Sequence, residues 1–349
     1  MSAEASPLAG VRWVVLSDAA RPTEDIYFLE SAAPALRQQG AIVERFDTRR
    51  YHLPTRWALR RLAGANLLIV RSLGERWVRL LERHRERFGR IVYLIDDDLG
   101  AVTRTNGLPA AYVARLSGLA MRQPALLALA DEVVACCEAL VERLGREHAN
   151  VSLLTPPILA SATELADFTQ PDWTIGYHGT RAHRDDIAHL ASALAPLMAS
   201  HPQVRLEIMM GRHVPESFSG IARLETPEAM PWKAFQQYQA TRRIQIGLAP
   251  LLETPFNCGK SWIKFLDITA MGGVGIYSRR APYTEVVEHG VDGLLVGDDP
   301  SEWRTALEQL LANPAATQTM AERARQKASC LAGKERCAVF WSGMSYYEG

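Results

Sequence analysis

The stretch that decides the fold is IQIGLAPLLETPFNCGKSWIKFLDITAMGGVGIYS, residues 244–278. It opens with an apolar run of strand length, "IQIGLAPL", and it closes with another, "VGIYS". The segment between them has the apolar spacing of a short helix. Strand, helix and strand in this order predict a parallel sheet that is covered by helices on both faces.

The same alternation extends over the rest of the chain in two sets. In the first half we predict strands at "VRWVVLS", "AIVERFD", "NLLIVRS" and "RIVYLIDD", a helix at "DIYFLESAAPALRQQG", and helix, strand, helix, strand within "LLALADEVVACCEALVERLGREHANVSLLTPP". After Pro156 and Pro157 it restarts, with strands at "TIGYHGT", "VRLEIMMG" and "GLLVGDD" and helices at "DDIAHLASALAPLMASH" and "PWKAFQQYQATR". We therefore predict an α/β fold of two Rossmann-like, doubly wound domains that face each other across a cleft.

Length and composition agree with two globular domains. The chain has 349 residues, of which 48% are hydrophobic and 22% charged. It has no run of eighteen apolar residues and no signal-peptide pattern at its start, so we expect it in the cytoplasm. The formal net charge is zero, and we expect no nucleic-acid partner. The five cysteines show no zinc-site spacing and are interpreted as reduced thiols.

Residues 45–90 carry a local excess of positive charge, with thirteen arginines against four acidic residues. One interpretation is a solvated arginine-rich surface. The other is attraction to an anionic acceptor or to anionic lipid headgroups, which would place the protein at the inner face of the membrane as a peripheral protein.

Lys260, Lys264 and Asp267 would lie within about 60° of one another on a helix that begins near Gly259. The chain has only five lysines, so two of them in one short segment are notable. One interpretation is an i,i+3 pair of Lys264 with Asp267 on a partly exposed helix. The other is a diphosphate site, formed by the two lysines and the N–H groups of residues 259–261, with Asp267 accepting hydrogen bonds from a ribose.

Two common nucleotide motifs are excluded. The P-loop pattern would need a glycine where Thr254 stands, and no GxGxxG follows any predicted strand. A nucleotide kinase and a nicotinamide dehydrogenase are therefore disfavoured.

Two further loops follow predicted strands and carry charged residues. In "YHGTRAHRDD", residues 177–186, the alternatives are a ligand site and a surface loop in which Asp185 or Asp186 caps a helix. In "YLIDDDLG", Asp96, Asp97 and Asp98 need a cation, arginines or solvent nearby because adjacent carboxylates repel one another. Acceptor binding, a DXD metal site and a helix cap are the alternatives there.

The second half resembles the nucleotide-binding domain of GT-B fold glycosyltransferases, in particular the retaining family of bacterial surface-polysaccharide enzymes. The resemblance rests on residues 246–278, on "APYTEVVEHGVDGLLV", and more weakly on "IGYHGTRAHRDDI" and "IDDDLG". It implies an N-terminal acceptor domain (residues 1–157), a linker (158–172), a C-terminal nucleotide-sugar-binding domain (173–333) and a final helix (334–349) that crosses back to the first domain.

The resemblance also implies roles for individual residues. The family's helix carries an E-x7-E pattern, in which Asp267 takes the second place and Gly259 the first, so the usual carboxylate contact to the donor sugar is absent. A subgroup has K-S-x-x-K at the helix start, which Lys260, Ser261 and Lys264 match. Basic contacts to the diphosphate are expected from the second-domain loop, first from Arg181, then His183 and Arg184. The implied donor-binding residues are Gly179, Thr180, Arg181, His183, Asn257, Lys260, Ser261, Lys264, Asp267, Tyr283 and Thr284.

The sequence thus predicts a glycosyltransferase that moves a hexosyl or deoxyhexosyl group from a nucleotide diphosphate sugar to a glycan or lipid-linked acceptor, with retention and without a cofactor or metal ion. Arg181, Lys260 and Asp97 are the predicted catalytic residues, with His178 a further candidate for a base, and Asp96, Asp97 and Asp98 are the predicted acceptor-binding residues. The alternatives are a GT-B-like binding module that has lost catalysis, and a sugar-nucleotide epimerase or phosphorylase of similar shape.

Overall fold

The computed structural model describes residues 7–51, 56–160 and 164–345, and within them the chain forms two parallel β-sheets of six strands each. The strand order is β2-β1-β3-β4-β5-β6 in the first sheet and β12-β11-β10-β7-β8-β9 in the second. This order confirms the predicted α/β class with two doubly wound sheets.

The first sheet and its helices occupy the N-terminal half of the chain. Its strands are β1 (Arg12–Ser17), β2 (Ile42–Asp47), β3 (Asn66–Val70), β4 (Ile91–Ile95), β5 (Glu132–Ala135) and β6 (Val151–Leu153). Its helices are α1 (Arg21–Glu24), α2 (Ala33–Gln38), α3 (Arg56–Leu62), α4 (Glu75–Arg83), α5 (Ala110–Ala120), α6 (Gln123–Leu129) and α7 (Glu138–Leu144). Every residue of β3 and β4 is buried, because helices cover both faces of the central strands.

The second sheet occupies the C-terminal half. Its strands are β7 (Thr174–His178), β8 (Arg205–Met209), β9 (Leu224–Glu225), β10 (Ile246–Ala249), β11 (Val274–Ser278) and β12 (Leu294–Val296). The helices are α8 (Arg184–Ala188), α9 (Ala191–Ser200), α10 (Trp232–Thr241), α11 (Ile263–Ala270), α12 (Pro300–Ala312), α13 (Pro314–Leu331) and α14 (Lys334–Gly343). The stretch that opened the sequence analysis forms β10, α11 and β11, and β10 pairs with β11 in parallel.

Three elements differ from the sequence prediction. The single helix predicted at residues 185–201 is divided into α8 (Arg184–Ala188) and α9 (Ala191–Ser200). The helix predicted at residues 25–40 is interrupted, because Asp25–Leu29 forms a π-helical turn after α1 and α2 starts only at Ala33, where Pro34 lies in its first turn. The two-residue strand β9 was not predicted, since its length gives no readable periodicity.

The last helix, α14, packs against the first domain. The Trp341 ring contacts Phe28 and Trp13, at centroid distances of 4.8 and 5.5 Å, and its indole N–H donates to the Tyr27 carbonyl at 2.8 Å. Residues 346–349 of the predicted final segment lie outside the described residues. The exact domain boundaries at residues 157, 173 and 333 stay predictions.

A loop of the second domain inserts into the first. Phe256, between β10 and α11, is fully buried in the core of the first domain and contacts Tyr112 at a centroid distance of 5.9 Å. Its backbone N–H donates to the hydroxyl of Thr105 at 3.0 Å. The carboxyl ends of the two sheets are therefore held against each other at this loop.

Candidate functional site

The three consecutive aspartates that follow β4 have different partners. Arg71, which follows β3 with a positive φ of 61°, donates to Asp96 at 2.9 Å and to Asp97 at 2.5 Å. Asp98 accepts from the N–H of Ala101 at 3.1 Å and so caps the 3-10 helix Leu99–Arg104. The helix cap considered from the sequence is therefore found at Asp98. The arginines that the aspartates require are Arg71, for Asp96 and Asp97, and Arg143, whose Nε lies 3.5 Å from Asp98 Oδ2.

Lys260 connects the two domains by an ion pair with Asp97. Its Nζ lies 2.6 Å from Asp97 Oδ1 and 3.9 Å from the centroid of the Phe256 ring. The side chains of Lys260 and Asp97 are only 17% and 8% exposed, so water screens the pair weakly. Lys260 and Asp97, predicted separately as donor and acceptor residues, are thus direct neighbours.

The two charges keep each other ionised. Burial raises the pKa of Asp97, but the charges of Lys260 and Arg71 outweigh burial and leave that pKa below its usual value. For Lys260, burial lowers the pKa and the charge of Asp97 raises it, with a net rise. The pair is therefore fully charged at neutral pH.

The predicted helix start at Gly259 is wrong by about one turn. Residues Asn257–Gly259 form a 3-10 turn, and α11 begins at Ile263. The N–H groups of Gly259 and Lys260 are used within that turn, because they donate to the carbonyls of Phe256 and Asn257. Lys260 and Ser261 therefore precede α11, and the proposed anion site at the N–H groups of residues 259–261 is not the first turn of this helix.

Lys264 and Asp267, both on α11, form the i,i+3 pair that the sequence left as an alternative. Their Nζ and Oδ2 atoms are 3.2 Å apart, and Gln239 of α10 donates to Asp267 Oδ1 at 2.8 Å. A cavity of only about 20 Å³ lies beside Asp267 and Gln239. This volume holds roughly one water molecule, so a ribose does not fit there in this conformation.

Asp186 organises the loops after β7 and β10. Its Oδ2 lies 2.6 Å from His183 Nδ1, and its Oδ1 accepts from the N–H of Leu252 at 2.8 Å and from the Asn257 amide at 3.0 Å. The sequence suggested Asp186 only as a possible helix cap. Its position three residues after His183 was the one available signal, because the contact with residues 252–257 requires the fold.

His183 is neutral in this setting. Burial lowers its pKa, the hydrogen bond with Asp186 opposes this, and the nearby charges of Lys260 and Lys264 lower the pKa further. These interactions also place His183 close to both lysines. We call Asp97, His183, Asp186, Lys260 and Lys264 the interdomain cluster.

The remaining predicted site residues divide by exposure. Thr180, Arg181, Arg184 and Thr284 are exposed, Gly179 is half-buried, and Tyr283 and Asn257 are buried. Ser261 is half-buried and faces the phenol of Tyr27 in the first domain, whose pKa it lowers against the effect of burial. His178, the further candidate for a base, is 4% exposed, and its Nε2 lies 2.7 Å from Glu207.

Gly259 packs against the backbone of Asp98. A Cβ atom at position 259 would lie 2.8 Å from the Cβ of Asp98 and 3.0 Å from its backbone nitrogen. A side chain there would push the two domains apart. The first acid of the E-x7-E pattern therefore has no room at this position in this conformation.

The arginines of residues 45–90 are of two kinds. Arg45, Arg71, Arg85 and Arg90 are largely covered and pair with carboxylates of the first domain. Others, such as Arg49, Arg50 and Arg76, are exposed. The interpretation as a solvated surface therefore holds for only part of this segment.

Two observations concern metal ions and membranes. Within the described residues, no three His, Cys, Asp or Glu side chains are arranged to hold a metal ion. No helix in the same residues has the length and apolar character needed to cross a membrane.

Solved structures of glycosyltransferases share this fold. Sucrose-phosphate synthase from Thermosynechococcus elongatus matches with a TM-score of 0.66 and 16% identity, over 96% of this chain and 98% of that one. HepE from Anabaena, in complex with UDP-glucose, matches with a TM-score of 0.63 and 13% identity, over 95% of this chain and 98% of that one. TarM from S. aureus matches with a TM-score of 0.59 and 10% identity, over 83% of this chain and 57% of that one.

No protein-family model matches the chain, and no curated protein is significantly similar to it in sequence. At these identities the structural matches establish the fold. The chain has the GT-B architecture, with two Rossmann-like domains, as the resemblance implied.

Proposed function

We propose that this chain is a glycosyltransferase that transfers a hexosyl or deoxyhexosyl group from a nucleotide diphosphate sugar to a hydroxyl of a glycan or lipid-linked acceptor. The observation that carries the proposal is the position of Lys260 just before α11 and of Lys264 in its first turn, where the carboxyl ends of the two sheets of a GT-B fold meet. Two ammonium groups at such a junction suit a diphosphate. The HepE complexes with UDP and with UDP-glucose support a donor of this class.

In the proposed donor complex the diphosphate replaces Asp97 as the partner of Lys260. Asp97 remains paired with Arg71, so the exchange does not leave a buried carboxylate alone. Asp267, held by Lys264 and Gln239, would accept hydrogen bonds from the ribose. The remaining donor contacts would come from the loop at residues 179–183 and from the segment of Tyr283 and Thr284.

The proposed chemistry needs the leaving diphosphate to be stabilised. The acceptor oxygen forms a bond to the anomeric carbon, the bond from that carbon to the β-phosphate oxygen breaks, and the hydroxyl proton passes to the departing phosphate. Lys260, Lys264 and Arg181 would neutralise the charge that develops on it, so the proposal requires no divalent ion. With the proton received by the leaving group on the same face, the product retains the donor's anomeric configuration.

The first experiment measures thermal stabilisation of the purified protein by UDP, GDP, dTDP, CDP and ADP. A ligand that binds only the folded protein raises the melting temperature. We expect one nucleotide to do so, and we expect Lys260→Ala/Lys264→Ala to abolish the shift. The matched control is Lys233→Ala/Lys334→Ala, which removes the same amount of charge from two exposed positions. This control should keep the nucleotide-induced shift in melting temperature.

Three outcomes are informative. A shift that the site variant loses and the control keeps supports the donor site, and NMR of the anomeric proton in a transfer product then reports retention or inversion. No shift with any of the five nucleotides contradicts the proposal. An equal loss in both variants contradicts the assignment of the site to Lys260 and Lys264.

A binding module without catalysis is the second candidate, and one observation favours it. The backbone of Asp98 occupies the space that an acidic side chain at position 259 would need. This candidate predicts that the nucleotide shift occurs but that the purified protein neither transfers nor hydrolyses the sugar. An NMR time course with the sugar nucleotide whose base gives the shift separates the two.

A further inference from the structure

The first domain contains a cavity of about 860 Å³ at the carboxyl ends of its first three strands. Ser17 ends β1, Asp47 ends β2, and Gly74 precedes α4, which follows β3. Four arginines line the cavity, namely Arg21, Arg49, Arg50 and Arg76. We call it the arginine cavity. It lies on the same edge of the sheet as Asp97, because β1, β3 and β4 are neighbouring parallel strands.

The carboxylates of the arginine cavity do not use up its guanidinium groups. Asp47 is shared by Arg21 and Arg50, at 3.4 and 3.7 Å, and those arginine side chains remain 57% and 78% exposed. Glu75 pairs with Arg79, which does not line the cavity, at 2.7 Å. Within the described residues, the guanidinium of Arg49 has no ion pair, and only its backbone N–H bonds to Asp47.

Four arginines line the cavity against three carboxylates, of which Asp18 is the third. Burial raises its pKa, against the lowering effect of Arg122 and Arg49, and the charge of Asp47 raises it too. The cavity therefore presents more positive than negative charge to a ligand. Arg49 and Arg50, adjacent in sequence and exposed, are the groups most available to it.

The rim of the cavity is held in an uncommon backbone conformation. Ala19 has a φ of 69°, in the left-handed region that residues other than glycine seldom adopt. It follows β1, as Arg71, with a φ of 61°, follows β3. Such conformations persist where the surrounding structure imposes them, and they are concentrated at ligand sites. Two of them on one sheet edge point to this edge as a binding surface.

An aromatic row leads from the cavity to the surface. Trp77 lines the cavity and contacts Phe46, which in turn stacks on Tyr51 at 5.1 Å. Trp57 contacts Tyr51, and these two rings are 48% and 40% exposed. Flat, rigid aromatic faces beside a charged pocket suit a ligand that has both an anionic group and an apolar face, as a sugar ring has.

We propose that the arginine cavity binds a phosphate ester on the acceptor, so that the acceptor of this protein is a phosphorylated one. Guanidinium groups bind phosphate oxygens in a bidentate way, and an exposed pair of arginines exceeds what a neutral glycan needs. The phosphate ester belongs either to a free sugar phosphate or to a lipid-linked headgroup. That the bound ligand is the acceptor rests on the proposed function. Phosphate binding in the cavity is tested independently of that function.

The test compares phosphorylated and unphosphorylated probes on the full chain. Calorimetric titration with glucose 6-phosphate, inorganic phosphate and glucose is carried out on the wild type, on Arg49→Gln/Arg50→Gln and on Arg83→Gln/Arg87→Gln. The last variant is the control, because it removes two exposed arginines at the opposite end of α4 and in the 3-10 turn before β4. Sedimentation with phosphatidylglycerol vesicles and with phosphatidylcholine vesicles supplies the lipid arm.

We expect a phosphate-bearing probe to bind at least about tenfold more tightly than glucose, and the cavity variant to lose at least about tenfold in that affinity, while the control does not. Binding of the sugar phosphate assigns the free source, and arginine-dependent binding of phosphatidylglycerol vesicles alone assigns the lipid source. If no phosphate-bearing probe binds in an Arg49- and Arg50-dependent manner, or if the control loses as much affinity, the inference is wrong.

The nucleotide shift is measured in the same three proteins. If the proposed function is correct, the cavity variant keeps the nucleotide shift, because the arginine cavity lies in the first domain and Lys260 and Lys264 belong to the second. A different result is also possible: the wild type gives no nucleotide shift but binds phosphate, and the cavity variant does not bind phosphate. In that case the proposed function fails and the phosphate site stands.

Discussion

At the scale of single residues, one buried ion pair joins the two halves of the protein. Lys260 and Asp97 come from different domains, and each has the pKa shift that favours its charged form. A lowered carboxyl pKa contributes stability that is present above the ordinary value of 3.8 and is lost as the pH falls through the folded value. A raised lysine pKa contributes stability that is present below 10.5 and is lost as the pH rises through the folded value.

We therefore expect Asp97→Asn to lower the free energy of unfolding by about 3 kcal/mol at pH 7, because it leaves Lys260 and Arg71 buried with less compensation. This difference in stability should narrow as the pH falls below about 4, because Asp97 of the unfolded wild type then begins to bind a proton while the folded Asp97, with its lowered pKa, does not. Urea unfolding of the wild type and the variant at pH 7, 5 and 3.5 measures this difference in the free energy of unfolding.

The control for this prediction is Asp172→Asn. Asp172 pairs with Arg205 at a site where both side chains are about half exposed, so the pair contributes about 1 kcal/mol or less to the free energy of unfolding. If Asp97→Asn is as stable as the wild type at pH 7, the ion pair does not hold the domains together.

Gly259 gives a second prediction at this scale. A Cβ at position 259 meets the backbone of Asp98, which cannot move aside like a flexible side chain. We expect Gly259→Ala to lower the free energy of unfolding by about 1–3 kcal/mol. Gly118→Ala, in the last turn of α5 with no atom within 4 Å of the new Cβ, should be neutral or stabilising by up to about 1 kcal/mol. If Gly259→Ala and Gly118→Ala change the stability equally in thermal or urea unfolding, the close contact between Gly259 and Asp98 is contradicted.

At the scale of elements, the loops after β7 and β10 are one structure because Asp186 binds both. Asp186→Ala would leave the N–H of Leu252 and the Asn257 amide without their acceptor in a buried setting. We expect a loss of about 2–3 kcal/mol in urea unfolding and a weaker nucleotide shift. Asp185→Ala, at the exposed neighbouring position, should change stability by less than about 1 kcal/mol. A similar loss in the two variants would show that Asp186 is not the organiser of these loops.

Elements were predicted well from periodicity, and contacts between them were not. The strands of both sheets could be placed because runs such as "NLLIV" and "IVYLI" are apolar throughout, as buried parallel strands are. The start of α11 could not, since "FNCGKSW" carries no cap signal and its 3-10 turn is fixed by packing against the first domain. The pairing of Lys260 with Asp97 joins residues 163 positions apart, which no local pattern encodes.

At the scale of the whole molecule, the cleft is closed at the predicted donor site. The cavity beside Asp267 measures about 20 Å³, and Lys260 already has a partner. A nucleotide diphosphate sugar therefore needs the two domains to separate at this point before it can enter, as in other hinge closures around ligands.

A cross-link between the domains tests this opening. A Cβ at Gly107 would lie 3.4 Å from Cγ of Asp185 in the other domain, the position that a cysteine sulfur at residue 185 would take, so the two thiols come within reach of each other at the cost of some backbone strain at the φ of 82°. With Cys258 and Cys330 changed to serine, we expect oxidised Gly107→Cys/Asp185→Cys to lose the nucleotide shift and dithiothreitol to restore it. The single change Asp185→Cys under the same oxidation is the control. Full nucleotide binding by the fully cross-linked protein would mean that the donor enters without domain separation.

The return of α14 to the first domain has a consequence for how the protein is made. Trp341, eight residues before the C-terminus, fills a space between Trp13 and Phe28, near the N-terminus. Domains generally fold in order as they leave the ribosome, but here the core of the first domain is complete only after the strands of the second sheet have been synthesised, because Trp341 follows them in the chain. Until Trp341 is synthesised, the nascent chain exposes the apolar surface that this residue will cover, so we expect chaperone contact with the first domain to persist while the second domain is being made.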